Sequence, residues 1–134
     1  MAGVLIAPAH ASEITPGPVP CDVVSVYDGD TLKAACHPWP GVTIRVSVRV
    51  NGVDTPEIRG KCPAEKAGAL AAREFAKNRM GKHVMIKNIT RGKYAGRVLA
   101  DVFIGQDSLT ALLIEHGHGR PYSGGKRQGW CSPP

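Results

Sequence analysis

The chain has 134 residues and a mass of 14.2 kDa, which suits one domain with a real core. Seventeen Lys and Arg against eleven Asp and Glu give a net charge of +6 and a pI near 9.4, favouring a polyanionic partner. No stretch approaches the ~18 apolar residues of a bilayer-spanning helix, so no membrane partner is expected.

Residues 1–11 run from an apolar stretch into Ala9-His10-Ala11, the A-x-A form of a signal-peptidase site, with Ser12 as the first mature residue. The basic opening of such a peptide is missing. Residues 1–20 are therefore expected to be a signal-peptide remnant and a Pro-rich lead-in, extended and poorly ordered, and residues 21–134 a single domain. Residues 21–27 (CDVVSVY) are strand-like, Asp28-Gly29 is a strong turn signal, and residues 31–36 continue as a second strand. Residues 37–41 (HPWPG) read as a loop. Residues 42–50 (VTIRVSVRV) alternate, with Val42, Ile44, Val46, Val48 and Val50 on an apolar face and Arg45 and Arg49 on the polar one. In Gly52-Val53-Asp54-Thr55-Pro56-Glu57 the proline bends the chain away from helix and sets two carboxylates three residues apart. Taken alone this is ordinary turn chemistry.

Residues 63–80 read as the one long helix, with Pro63 in its first turn, Gly81 past its end, and a thin stripe of Leu70, Ala71, Glu74 and Phe75. Residues 84–89 and 98–104 are two further strands around a basic turn, residues 90–97 (TRGKYAGR). Residues 108–116 form a short helix capped by Ser108 and ended by Gly117. His116-x-His118 could hold a soft metal, with a loop surface the favoured reading. Five short strands with a helix after the third predict an α+β fold, mainly β: a five-stranded antiparallel Greek-key barrel of the OB type with two or three helices.

The four cysteines, Cys21, Cys36, Cys62 and Cys131, fit an exported protein, and without C-x-x-C spacing zinc is disfavoured. Three pairings are possible. If Asp28-Gly29 is a two-residue turn, opposed residues have numbers summing to 57, as 21 and 36 do, leaving Cys62 for Cys131; a bulge would shift that register.

Charge is unevenly placed. Five acids lie between Asp22 and Glu57, and between Ile58 and Arg97 eleven bases face two acids, a net charge of +9. Asp30 and Asp54 on neighbouring strands could share one ion's coordination sphere, with a backbone carbonyl and water completing a hard oxygen site. Arg49 and Arg97 carry planar forks that match a phosphodiester and its pentacovalent transition state, and Glu57 could activate or orient a water.

Three motifs in order, Asp28-Gly29-Asp30-Thr31, then Arg49-x-x-Gly52-Val53-Asp54-Thr55-Pro56-Glu57, then Lys93-Tyr94-Ala95-Gly96-Arg97-Val98-Leu99-Ala100, resemble the staphylococcal nuclease (thermonuclease-like) family over about residues 21–122. The resemblance implies an OB-fold, Ca²⁺-dependent phosphodiesterase that cuts DNA and RNA, single strands preferred, leaving 3′-phosphates. It implies Asp30, Asp54 and the Thr55 carbonyl as calcium ligands, and Glu57 as general base. Arg49 and Arg97 would hold the scissile phosphate, Lys93 and Tyr94 would contact nucleotide phosphate, and Tyr122 would pack on a base. Ala95 adds a residue to the third motif, and Ser123–Trp130 (SGGKRQGW) replaces the type member's long C-terminal helix. The tail and cysteines point to an exported branch, secreted or periplasmic, and a monomer is expected. Two alternatives stand beside the enzyme: a catalytically silent OB-fold module that only binds nucleic acid, and a disulfide-stapled structural or inhibitor domain. Silent copies lose charged site residues, whereas Asp30, Arg49, Asp54, Glu57 and Arg97 are all present; the third reading leaves their arrangement unexplained.

Overall fold

The computed structural model describes Gly3 and residues 14–131, so the A-x-A segment and Ser12 lie outside the described residues. In chain order the elements are β1 (Ile14–Thr15), β2 (Val19–Asp28), β3 (Thr31–Trp39), β4 (Val42–Val50), β5 (Val53–Asp54) and α1 (Pro63–Met80). There follow β6 (His83–Arg91), β7 (Arg97–Ile104), β8 (Asp107–Ser108), α2 (Leu109–Glu115) and β9 (Arg120–Pro121). β2, β3, β4, β7 and β6 close into a five-stranded barrel. Four of its pairings are antiparallel, and the closure between β4 and β7 is parallel. This is the mainly β, OB-type α+β fold expected from the sequence, with two helices among the described residues. Neither is long and apolar enough to cross a membrane.

Strand alternation turns Leu32, Val48, Val50, Ile86, Ala100 and Val102 inward, and Leu109 and Leu113 of α2 join the same core. Each fully buried aliphatic side chain contributes about 1.5–3 kcal/mol. The alternation of β4 is less complete than its sequence suggests. Val42 and Ile44 stay 41% and 45% exposed beside Trp39 at 72%, and only Val48 and Val50 are fully buried. β3 also continues through Trp39, with a register slip after Cys36 that accommodates Pro38, so the expected loop shrinks to a turn at Pro40-Gly41.

The first hairpin turns one residue later than Asp28-Gly29 suggested: Gly29 and Asp30 form the turn, and Asp28 pairs with Thr31. Two irregularities, between Val26 and Asp28 and between Val23 and Ser25, each slip the pairing by one residue. Cys21 consequently faces Cys36 and is joined to it, while Cys62 is joined to Cys131.

α1 has the expected limits, with Pro63 in its first turn and Gly81 at φ 59° after its end. Its buried face differs from the expected stripe: Ala69, Ala72, Ala76 and Met80 face inward with Glu65, and Leu70 is half exposed. The alanines let the helix come close to the hairpin turn, where a Cβ on Gly29 would lie 2.8 Å from the Ala72 Cβ. Phe75 packs on the core edge, and the His116 and His118 rings lie against it at 4.8 and 4.7 Å, so this pair serves aromatic packing. Residues 14–20, expected as a poorly ordered lead-in, are extended and docked: β1 pairs with β6, and Val19 and Pro20 open β2.

Candidate functional site

The hairpin turn, the end of β4 and the β5 segment meet at one rim of the barrel. Asp30 is buried there because its own backbone is tied on both sides. Its N–H donates to Asp28 Oδ1 at 3.2 Å, and its carbonyl accepts from Val50 N–H at 2.8 Å. The Asp30 carboxylate then accepts from Thr31 Oγ1 at 3.0 Å and from the Thr55 N–H at 3.0 Å. A residue at the barrel's first turn is thereby bonded to the GVDTPE segment twenty-five positions on.

Arg49 lies between the two acids. Its guanidinium is 3.1 Å from Asp30 Oδ2 and 3.8 Å from Asp54 Oδ1, and it donates to the Val50 and Val53 carbonyls at 3.2 and 3.0 Å. Asp54 and Thr55 are fully buried, since β5 is paired to β9 with Asp54 opposite Arg120. Gly119 permits that approach: a Cβ there would lie 2.5 Å from Val53 Cγ2. Glu57 is held by its backbone, its N–H donating to the buried Glu65 carboxylate at 3.3 Å, while its side chain stays 41% exposed.

Arg97 reaches the same rim through Thr31, donating to Thr31 Oγ1 at 3.5 Å. Arg49, Arg91, Lys93, Tyr94, Arg97 and Leu99 line a cleft of about 220 Å³ beside it. The inserted Ala95 leaves Lys93 and Tyr94 on this cleft, with Tyr94 largely exposed. The Tyr122 ring sits 5.9 Å from the Arg49 guanidinium, and its hydroxyl donates to the Gly125 carbonyl at 2.7 Å. The nine residues singled out from the sequence thus gather around one rim. Glu57 has no direct tie to the phosphate-matching forks: among the described residues, no hydrogen bond or ion pair links it to Arg49 or Arg97.

Sequence reasoning missed the residue that does link it. Arg127, in the Ser123–Trp130 segment, pairs with Asp54 Oδ1 and with Glu57 Oε1, and its guanidinium lies 3.5 Å from the Thr55 carbonyl. Trp130 donates its indole N–H to Asp54 Oδ2 at 3.2 Å. Arg120 holds this tail from behind, stacked 3.7 Å from the Trp130 ring and donating to the Gln128 and Gly129 carbonyls. A signal for Arg127 did exist. Glu57 stands five residues before Cys62 and Arg127 four before Cys131, so the pairing of those cysteines brings the two side chains together.

Burial, with the Asp30 charge adding to it, pushes the Asp28 carboxyl up to about 8, so at neutral pH it keeps its proton and the negative charge beside Asp30 is not doubled. Burial lowers the Arg127 guanidinium, but hydrogen bonding to Glu57 and Asp54 outweighs it and holds the group above its ordinary value. The donor set suits a hard cation. Asp30 and Asp54 offer carboxylate oxygens and Thr55 a carbonyl. Asp54 Oδ1 is buried and meets only the Arg49 and Arg127 guanidiniums among the described residues. Glu65 lies close to Cys62 and Cys131, but both sulfurs are in the disulfide and that trio offers no thiolate.

An OB-type barrel whose rim joins buried acids to arginines, beside a basic cleft, defines the class of the protein. Within that class, a family model for staphylococcal nuclease homologues matches residues 47–128, more than half of the chain, and the protein belongs to that family. The match covers Arg49, the GVDTPE segment, Arg97, Tyr122 and Arg127, and leaves Asp30 before its start. No curated protein matches the chain by sequence.

Proposed function

We propose that the protein is a Ca²⁺-dependent phosphodiester hydrolase that cleaves DNA and RNA, single strands preferred, to products ending in 3′-phosphate. The observation that carries this reading is the convergence of Asp30 and Asp54 on the Arg49 guanidinium, with Thr55 bonded to Asp30. Buried carboxylates held by a phosphate-matching fork are costly for a scaffold and useful for a reaction.

Asp30 and Asp54 would hold the ion through carboxylate oxygens, and Thr55 through its carbonyl. Bound there, Ca²⁺ would neutralise phosphate charge and favour ionisation of a water. Arg49 and Arg97 bind the non-bridging oxygens of the scissile phosphate and stabilise the extra charge of the pentacovalent transition state. Glu57 accepts the proton of the attacking water at a carboxylate oxygen. Lys93 and Tyr94 hold a neighbouring phosphate along the cleft, and Tyr122 offers a ring to a base. Stacking of that kind needs unpaired bases, which favours single strands.

Two disulfides suit an oxidising compartment, which supports a secreted or periplasmic location, and a monomer is the simplest state for such a barrel. The engagement of Glu57 by Arg127 is what favours the other reading, a catalytically silent nucleic-acid-binding module. End-group analysis of products from a labelled single-stranded oligonucleotide separates them. The enzyme leaves 3′-phosphate and 5′-hydroxyl ends; intact oligonucleotide supports the silent module, and 5′-phosphate ends refute the assigned geometry.

A further inference from the structure

We infer that Arg127 is a built-in occupant of the cation site, so that a bound divalent ion and the docked tail exclude each other. The inference rests on the metal reading of Asp30, Asp54 and Thr55 and adds to it a residue that sets how readily the ion binds.

Arg127 touches the oxygens that the ion would need. Its guanidinium pairs with Asp54 Oδ1 and points toward the Thr55 carbonyl; a second branch pairs with Glu57. Trp130 caps the other Asp54 oxygen. One tail therefore covers both oxygens of one ligand, one carbonyl and the general base. A cation at the same oxygens would meet the guanidinium at van der Waals distance and with like charge, so one must leave.

The tail is equipped to leave and return. Arg127 is four residues from Cys131, which the disulfide fixes to Cys62 at the start of α1, so on release its Cα stays within about 14 Å of the Cys131 Cα. A tethered group of that reach competes at millimolar effective concentration, whatever the protein concentration. The Arg127 side chain is 38% exposed, and Arg120 and the disulfide grip the tail at Gln128, Gly129 and Cys131 rather than at Arg127 itself. Removing Arg127 thus takes away the competitor and leaves the barrel's attachments in place.

Calcium binding is measured by calorimetry on the full chain and on Arg127→Ala. The docked pairs are worth about one power of ten in binding, so Arg127→Ala binds Ca²⁺ about tenfold more tightly. Cys62→Ala/Cys131→Ala, which keeps Arg127 but lengthens its tether, shifts in the same direction. Trp130 gives a readout independent of activity. In a Trp39→Phe background it is the one remaining tryptophan of the sequence, and Ca²⁺ shifts its emission with the midpoint found by calorimetry. Equal or weaker Ca²⁺ binding by both variants, or unchanged Trp130 emission at saturating Ca²⁺, overturns the inference while leaving the metal site standing. Absence of Ca²⁺ binding in all proteins overturns the metal reading and the inference with it.

Discussion

Arg49→Ala should destabilise the metal-free protein by about 3 kcal/mol, and Ca²⁺ should recover much of that loss. The guanidinium lies 3.1 Å from Asp30 and 3.8 Å from Asp54 with its side chain 16% exposed, so it is largely out of water. At an effective dielectric constant of about 20 the two attractions amount to about 5 and about 4 kcal/mol. Desolvation of the guanidinium and of the carboxylates offsets several kcal/mol of this, and the difference is what truncation removes. Asp54 keeps Arg127 as a partner, whereas Asp30 loses its one ion pair among the described residues. Asp30 is therefore the stranded charge. Urea unfolding at pH 7, with Ca²⁺ and with chelator, measures the gap between wild type and variant under each condition. In chelator the gap is about 3 kcal/mol; in Ca²⁺ it narrows, because the ion supplies the missing positive charge. A loss below about 1 kcal/mol, the scale of an exposed pair, would refute the electrostatic reasoning. So would a gap that Ca²⁺ leaves unchanged.

Glu57→Gln should cut turnover about 10²- to 10⁴-fold while nucleic-acid binding, followed by fluorescence anisotropy, stays nearly intact; loss of binding instead would assign Glu57 to the scaffold. Gly29→Ala would place a Cβ 2.8 Å from the Ala72 Cβ and 2.9 Å from Thr55 Cγ2. Its expected cost is about 1–3 kcal/mol in urea unfolding, with weaker Ca²⁺ binding because Thr55 is displaced. Loop-closure entropy assigns about 3 kcal/mol to Cys21–Cys36 and about 4 kcal/mol to Cys62–Cys131, whose separations are 15 and 69 residues. Release of the tail from a still-folded barrel offsets part of the second value, so replacing Cys62 and Cys131 by Ala should cost less than replacing Cys21 and Cys36; the opposite order would mean that the tail belongs to the cooperative core.

Local signals carried α1 and the body of each barrel strand. Pro63 and Gly81 punctuate the helix, and β-branched alternation marks β4. The buried face of α1 was not legible, because hydrophobicity favours Leu70 while the barrel selects for small size; Ala72 is inward because the Gly29 turn needs the space. The turn position was misjudged by one residue because bulges leave no mark in strand composition, and two slips happened to restore the Cys21–Cys36 register. Lys93 and Tyr94 could be placed near Arg97 from a short motif, since their separation in sequence is small. Arg127 and Trp130 act across seventy-odd residues through a disulfide, and no local pattern distinguishes their stretch from a solvated tail.

The most direct test of the central claim is digestion of end-labelled single-stranded DNA by the purified protein, in Ca²⁺ and in chelator. Cleavage in Ca²⁺ that stops in chelator, and that is lost in Asp54→Asn under both conditions, is the predicted result. No cleavage under either condition, or cleavage that survives chelation, would contradict it.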